Sequence, residues 1–176
     1  MEISVRDMRA DDWNAVTRIY AEGIATNKAT FETRCPEYAQ WDKAHLAGCR
    51  LVAQRGDEVI GWAALSPVSG RCVYGGVAEV SVYIAAAARG QGVGTLLLKT
   101  IWKEAEDEGL WTLQSGIMQD NEASIRLHEK CGFRMVGYRE RIAKDQYGAW
   151  RNTVLMERRR PQDEPEKGSC TCCCQK

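Results

Sequence analysis

Val80-Ser81-Val82-Tyr83-Ile84, then Arg89-Gly90-Gln91-Gly92-Val93-Gly94-Thr95, then Leu96, Leu97, Leu98, Ile101, Trp102 and Ala105: this stretch decides the reading of the chain. Val77 to Ile84 alternates as a half-buried strand does, and the residues after Gly94 repeat at helical spacing. A glycine-rich turn between strand and helix aims backbone N–H groups outward. The first N–H groups of a helix have no internal partner, and the helix dipole adds positive potential there. Glycine also lets the backbone approach an anion without a Cβ in the way. The stretch therefore predicts a cofactor that carries a pyrophosphate.

Spacing separates the candidates. A dinucleotide fingerprint needs G-x-G-x-x-G, whereas here the glycines fall at alternate positions; a P-loop needs G-K-[ST], and Gly94-Thr95 lacks the lysine. Arg89-x-x-Gly92-x-Gly94 instead resembles the pyrophosphate motif of the GCN5-related N-acetyltransferases, [QR]-x-x-G-x-[GA]. Further on, Asn121-x-x-Ser124-x-x-Leu127-His128-x-x-x-Gly132-Phe133 resembles a later motif of the same superfamily, N-x-x-[AS]-x-x-L-[YH]-x-x-x-G-F, in the expected order. The resemblance implies a mixed α/β sandwich and acetyl-CoA as co-substrate, with no metal required.

Length and composition agree with this class. A chain of 176 residues suits one domain with one core. Lys+Arg and Asp+Glu are equal at 24 each, which argues against nucleic acid and against an acidic membrane surface. No apolar run reaches transmembrane length and no signal-peptide core follows Met1, so a cytosolic enzyme is expected. Of eight cysteines, Cys35, Cys49, Cys72 and Cys131 are scattered without C-x-x-C spacing and read as free thiols. Cys170, Cys172, Cys173 and Cys174 crowd a polar, proline-containing tail after Arg160. Thiolates favour soft metals and trivalent arsenic, but the tail reads first as a disordered, redox-sensitive segment, and no metal ligands are assigned.

The predicted element order is β-α-α-β-β-β-α-β-α-β-β over a domain spanning 1–160, followed by the tail at 161–176. Asp11 or Asp12 is the expected cap of the first helix. Pro36-Glu37 should open the second, with Tyr38, Trp41 and Leu46 on its inner face. His45 belongs to no motif and is expected at the surface.

Acetyl transfer to an amine needs a proton acceptor for the ammonium, a donor for the oxyanion and a proton for the departing thiolate. The segments 29–33, 77–84, 121–133 and 147–152 together resemble the phosphinothricin, methionine sulfoximine and arsinothricin acetyltransferases. These act on the α-amino group of small, toxic, glutamate-like amino acids, so the resemblance implies a resistance function. It also implies that Glu79 takes the amine proton, directly or through water. His128 stands where many superfamily members carry a tyrosine acid; an imidazole there serves as donor to the thiolate or as an aid to deprotonation. Val82, Tyr83 and Ile84 would pair through their backbone with pantetheine, with an N–H near Val82 as oxyanion donor. Gly90, Gln91, Gly92, Val93, Gly94 and Thr95 would hold the pyrophosphate, supported by Arg89, and Asn121 and Ser124 the pantetheine arm. Arg71 is the candidate fork for a substrate carboxylate, with Phe31 and Tyr74 as pocket walls. One departure stands out: many relatives have Trp-His-Asp where this chain has Trp150-Arg151-Asn152. The resemblance further implies a homodimer through the C-terminal strands. The rival readings are a protein or peptide N-acetyltransferase and a non-catalytic acyl-CoA-binding module.

Overall fold

The computed structural model of the chain describes residues 2–161; the Cys170–Cys174 cluster lies outside them. The order of strands and helices follows the sequence expectation: β1 (Ile3–Asp7), α1 (Trp13–Ala25), α2 (Tyr38–Ala44), β2 (Arg50–Arg55), β3 (Glu58–Pro67), β4 (Val77–Ile84), α3 (Val93–Asp107), β5 (Thr112–Met118), α4 (Glu122–Lys130), β6 (Arg134–Lys144) and β7 (Trp150–Arg159). The seven strands form one sheet in the order β1-β2-β3-β4-β5-β7-β6. Every neighbouring pair is antiparallel except β4–β5.

Strand alternation gives the sheet two covered faces. Trp62 on β3 meets Tyr20 of α1 at 5.6 Å and Trp41 of α2 at 5.9 Å between ring centroids. The preceding Gly61 turns the other way: a Cβ there would lie 3.1 Å from Val93 of α3. Helices α1 and α2 thus cover one face and α3 the other, with Leu65, Leu97, Leu98, Ile101 and Leu113 fully buried between the layers.

Three local expectations change. Asp12 is the N-cap residue of α1, as expected, but its side chain makes no capping hydrogen bond there. Its carboxylate accepts from Arg6 Nη1 at 2.7 Å and Nη2 at 2.8 Å, and from the Arg9 backbone N–H at 2.7 Å. The hydrogen bond from Arg6 holds Asp12 below the usual carboxylate range despite opposing burial. Helix α2 begins at Tyr38 with Glu37 as its N-cap, so Pro36 lies before the first turn, and Tyr38 is exposed. His45 is half-buried, not a surface residue: its ring stacks on Trp41 at 4.2 Å and Nδ1 lies 2.6 Å from the Trp41 carbonyl. All four described cysteines are free, and Cys49 and Cys131 are buried; desolvation pushes the Cys49 thiol up to about 12.

Gly76 sets the entry to β4. Its carbonyl accepts from the Trp111 N–H at 2.8 Å, and a Cβ at Gly76 would fall 2.0 Å from the Trp111 indole. Gly76→Ala therefore forces the ring off this contact and is expected to cost about 2 kcal/mol, read as a lowered denaturation midpoint. Leu96→Ala on the exposed face of α3 should change little by comparison.

Candidate active site

The parallel β4–β5 ladder is short. It pairs Val77 with Thr112, Ala78 with Leu113 and Glu79 with Gln114, and there it ends. Beyond it, β4 stays on β3 as far as Ile84, while β5 stays on β7 as far as Met118. The sheet splits, and β4 from Val80 onward presents a strand edge without a β5 partner. Alternate residues of such an edge turn N–H and C=O outward, ready to pair with an extended guest.

Two cavities meet in the split. One, of about 570 Å³, runs along Val82–Ile84 to the turn between β4 and α3. Gly90 and Gly92 have φ of +74° and +84°, a left-handed conformation that glycine adopts without strain. Gly92 is the N-cap of α3, so the N–H groups of Val93, Gly94 and Thr95 stand free of intrahelical partners beside the cavity. A Cβ at Gly92 would meet no protein atom within 4 Å: the backbone there faces open space. Lys28, Arg89, Arg126 and Lys130 line this cavity, and among the described residues no carboxylate does. The chamber suits an anion at one end and an extended arm at the other.

The second cavity, of about 300 Å³, lies where the ladder ends. Glu79 and Glu32 supply its carboxylates and Lys28 its cation, with Phe31 and His128 also on the wall. Glu79 Oε2 accepts from Gln114 Nε2 at 3.0 Å, which fixes the carboxylate across the last ladder rung. The two cavities share Lys28, Ala29, Val82, Tyr83, Asn121 and Ser124, so they form one continuous cleft. Asn121 caps α4, its side chain accepting from the Ser124 N–H, and its Nδ2 donates to the Lys28 carbonyl at 3.1 Å. One residue thus joins α4 to the loop opposite.

His128 is 1% exposed and packs edge-on to Phe133 at 5.0 Å. Its Nδ1 lies 2.7 Å from the Ser124 carbonyl, which can only accept, so Nδ1 carries the hydrogen. Burial lowers the ring's pKa against the opposing pull of that carbonyl, and the imidazole is neutral at pH 7. Nε2 is then a bare acceptor, buried and without a protein partner. Of the two roles expected for His128, this tautomer fits proton acceptance and not donation to a thiolate.

The two histidines set a pH dependence. Burial depresses both His45 and His128 in the folded state. As pH falls through the unfolded value near 6.5, the unfolded chain binds protons that the native chain refuses, so stability present above about pH 6.5 is lost below it. The denaturation midpoint should fall between pH 7.5 and 5.5, and His128→Asn should flatten that fall.

Not every expected residue reaches the cleft. Arg71 precedes and Tyr74 ends a short turn at 72–74, both exposed, and neither lines either of these two cavities; the Arg71 guanidinium sits 5.8 Å above the Tyr74 ring. The Gln91 side chain turns away, bonding Arg55 and donating to the Ala87 carbonyl at 2.8 Å. Tyr83 offers more than backbone: its ring stacks on Trp62 at 4.7 Å and closes over Gly23. Residues that the sequence reading passed over are Lys28, Glu32, Arg126 and Lys130. The last two share a face of α4 at i,i+4 spacing, a signal that was available; Glu32 falls in the 29–33 segment of the resemblance, and Lys28 sits in an irregular loop without a pattern.

Comparison with known proteins follows the same lines. Residues 9–133 match the family model described as the acetyltransferase (GNAT) family. A phosphinothricin N-acetyltransferase of Alcaligenes faecalis is 38% identical over 162 residues, covering 88% of this chain and 81% of that protein. An L-methionine sulfoximine/L-methionine sulfone acetyltransferase of Pseudomonas paraeruginosa is 26% identical, covering 89% of this chain and 94% of that protein. The crystal structure of a phosphinothricin acetyltransferase from Sinorhizobium meliloti, in complex with AcCoA, matches with a TM-score of 0.84 at 27% identity and 97% coverage of both chains. A split sheet, a left-handed glycine turn at a helix start and a family match over most of the domain agree: the chain is an acetyltransferase and belongs to the GNAT family.

Proposed function

We propose that the chain is an acetyl-CoA-dependent N-acetyltransferase acting on the α-amino group of a small glutamate-like amino acid, such as phosphinothricin or methionine sulfoximine, in the cytosol. The carrying observation is the division of charge within one cleft: a cationic chamber at the helix start and a carboxylate-lined chamber at the end of the ladder. The first suits a pyrophosphate, the second an ammonium. The relatives' substrates support the amino-acid class.

On this reading the pantetheine arm adds to the free edge of β4, and Gly90 to Thr95 with Arg89 hold the pyrophosphate. The substrate ammonium sits at Glu79 and Glu32, and Phe31 walls the pocket. Lys28, the cation lining that chamber, takes the substrate carboxylate in place of Arg71. The ammonium gives up two protons. One passes to Glu79, directly or through water, and on to solvent. The amine nitrogen then attacks the thioester carbonyl carbon, and a backbone N–H near Val82 receives the oxyanion. The C–S bond breaks, and the second proton ends on the CoA sulfur. His128 Nε2, a buried acceptor in the wall of the chamber that Glu79 also lines, is the second group that can accept a hydrogen there. No step needs a metal. We also infer a homodimer through β6, whose Met135, Val136, Tyr138 and Ile142 are exposed.

Thiol release from acetyl-CoA, measured against phosphinothricin, methionine sulfoximine, arsinothricin, L-glutamate and short peptides, tests the reading. A small amino acid should give the highest kcat/KM. Peptides outperforming all small amino acids would favour a protein N-acetyltransferase. Tight acetyl-CoA binding with no acetylation would favour a binding module.

A further inference from the structure

Arg151 is 14% exposed in its side chain and lies at the start of β7. Its Nη2 donates to both oxygens of Asp120, at 2.8 and 2.9 Å. Its Nη1 donates to the Asn27 carbonyl at 2.8 Å and to Asp145 Oδ2 at 3.2 Å. Asp145 also accepts from Asn27 Nδ2 at 3.0 Å and from the backbone N–H groups of Tyr147 and Ala149. These bonds, that from Asn27 foremost, hold the Asp145 carboxyl down at about 2. Asn27 itself has a φ of +53°, unusual for a residue with a side chain.

The network joins three segments distant in sequence: the loop after α1, the turn before α4 and the β6–β7 hairpin. Each of the first two leads directly into the cleft. Lys28 to Glu32 follow Asn27 and line the amine chamber; Asn121 follows Asp120, lines both chambers and reaches back to the Lys28 carbonyl. A single guanidinium thus fixes the two lips of the cleft relative to each other.

We propose that Arg151 is a positioning residue for the amine site: by clasping Asn27, Asp120 and Asp145 it sets the width of the chamber between the 26–32 loop and α4, and with it the affinity for the amine substrate. The part concerning the amine rests on the function proposed above; the clasp itself does not. Arg151 touches neither chamber, so its loss acts through Lys28, Phe31 and Asn121.

The test pairs amide hydrogen exchange with steady-state kinetics on Arg151→Met, Arg151→Lys and Asp120→Asn in the full chain. Peptides spanning 26–32 should exchange about fivefold faster in Arg151→Met, with β1–β3 peptides unchanged, as expected for losing roughly 1 kcal/mol of local tethering. The amine KM should rise about fivefold or more while kcat stays within about threefold, the signature of lost ground-state positioning. Arg151→Lys, which keeps one charge and loses the fork, should fall between the two. Asp120→Asn removes one clasped group and leaves the core intact, so it decides the matter if Arg151→Met does not fold. Unchanged exchange at 26–32, exchange raised equally across the sheet, or faster exchange with an unchanged amine KM would each overturn the proposal. If the wild-type chain acetylates no amino acid, the proposed function falls, and the exchange rates, which need no substrate, still decide the clasp.

Discussion

Glu79→Gln lowers kcat by about a hundredfold and leaves acetyl-CoA affinity within about twofold, the range expected for removing a general base without disturbing binding. The substitution keeps the shape of the side chain and its place at the end of the β4–β5 ladder. It keeps a hydrogen-bonding group beside Gln114, whose amide now donates to Glu79 at 3.0 Å. What it removes is the only property the proton transfer uses, a carboxylate that can hold a proton. The glycine turn lies at the other end of the cleft, so the cofactor chamber is left as it was. Isothermal titration with acetyl-CoA and initial rates over a range of pH measure the two quantities separately. A kcat within about threefold of wild type would remove Glu79 as the base, since general-base catalysis contributes two or more orders of magnitude.

Gly92→Val has the reverse signature. Valine at a φ of +84° is strained by about 1–2 kcal/mol, which lowers the denaturation midpoint by several degrees without preventing folding. Apart from its neighbours along the chain, no protein atom lies within 4 Å of the added Cβ, so the Cβ itself meets open space. The new side chain instead enters open space at the cavity that Gly92, Val93, Gly94 and Thr95 line. Losing one charge-assisted hydrogen bond there, at about 1.5–3 kcal/mol, raises the acetyl-CoA dissociation constant by about tenfold to about 150-fold. Gly70→Ala is the matched control: its Cβ also meets nothing, and its φ is not in the left-handed range. Normal acetyl-CoA affinity in Gly92→Val would show that the glycine turn is not a phosphate cradle.

The elements legible in the sequence were those whose structure is set locally. The alternating run at 77–84 became β4 with those same ends, whereas the capping of α4 by Asn121 came from the structure alone. The glycine turn was equally local, because glycine adopts the left-handed backbone at 90 and 92 without strain. Arg71 was misplaced because closeness to the Glu79 strand in sequence says nothing of direction: the short turn at 72–74 carries it out to solvent. The end of the β4–β5 ladder left no mark in either strand, since both continue with other partners. In the sequence Arg151 stands out only as a departure from the pattern of the resemblance. Its role depends on Asn27, 124 residues away, and Asp120, 31 residues away, and no local pattern encodes such partners. The protonation of His128 followed from an i−4 carbonyl and burial, of which only the first was readable.

Amide hydrogen exchange of the wild-type chain, with and without acetyl-CoA, locates the cofactor most directly. Strand addition to the split sheet predicts that protection appears in peptides spanning Val80–Ile84 and Arg89–Thr95, and is small in β6 and β7. Protection absent from Val80–Ile84, or concentrated elsewhere in the chain, would contradict a cofactor lying along the free edge of β4.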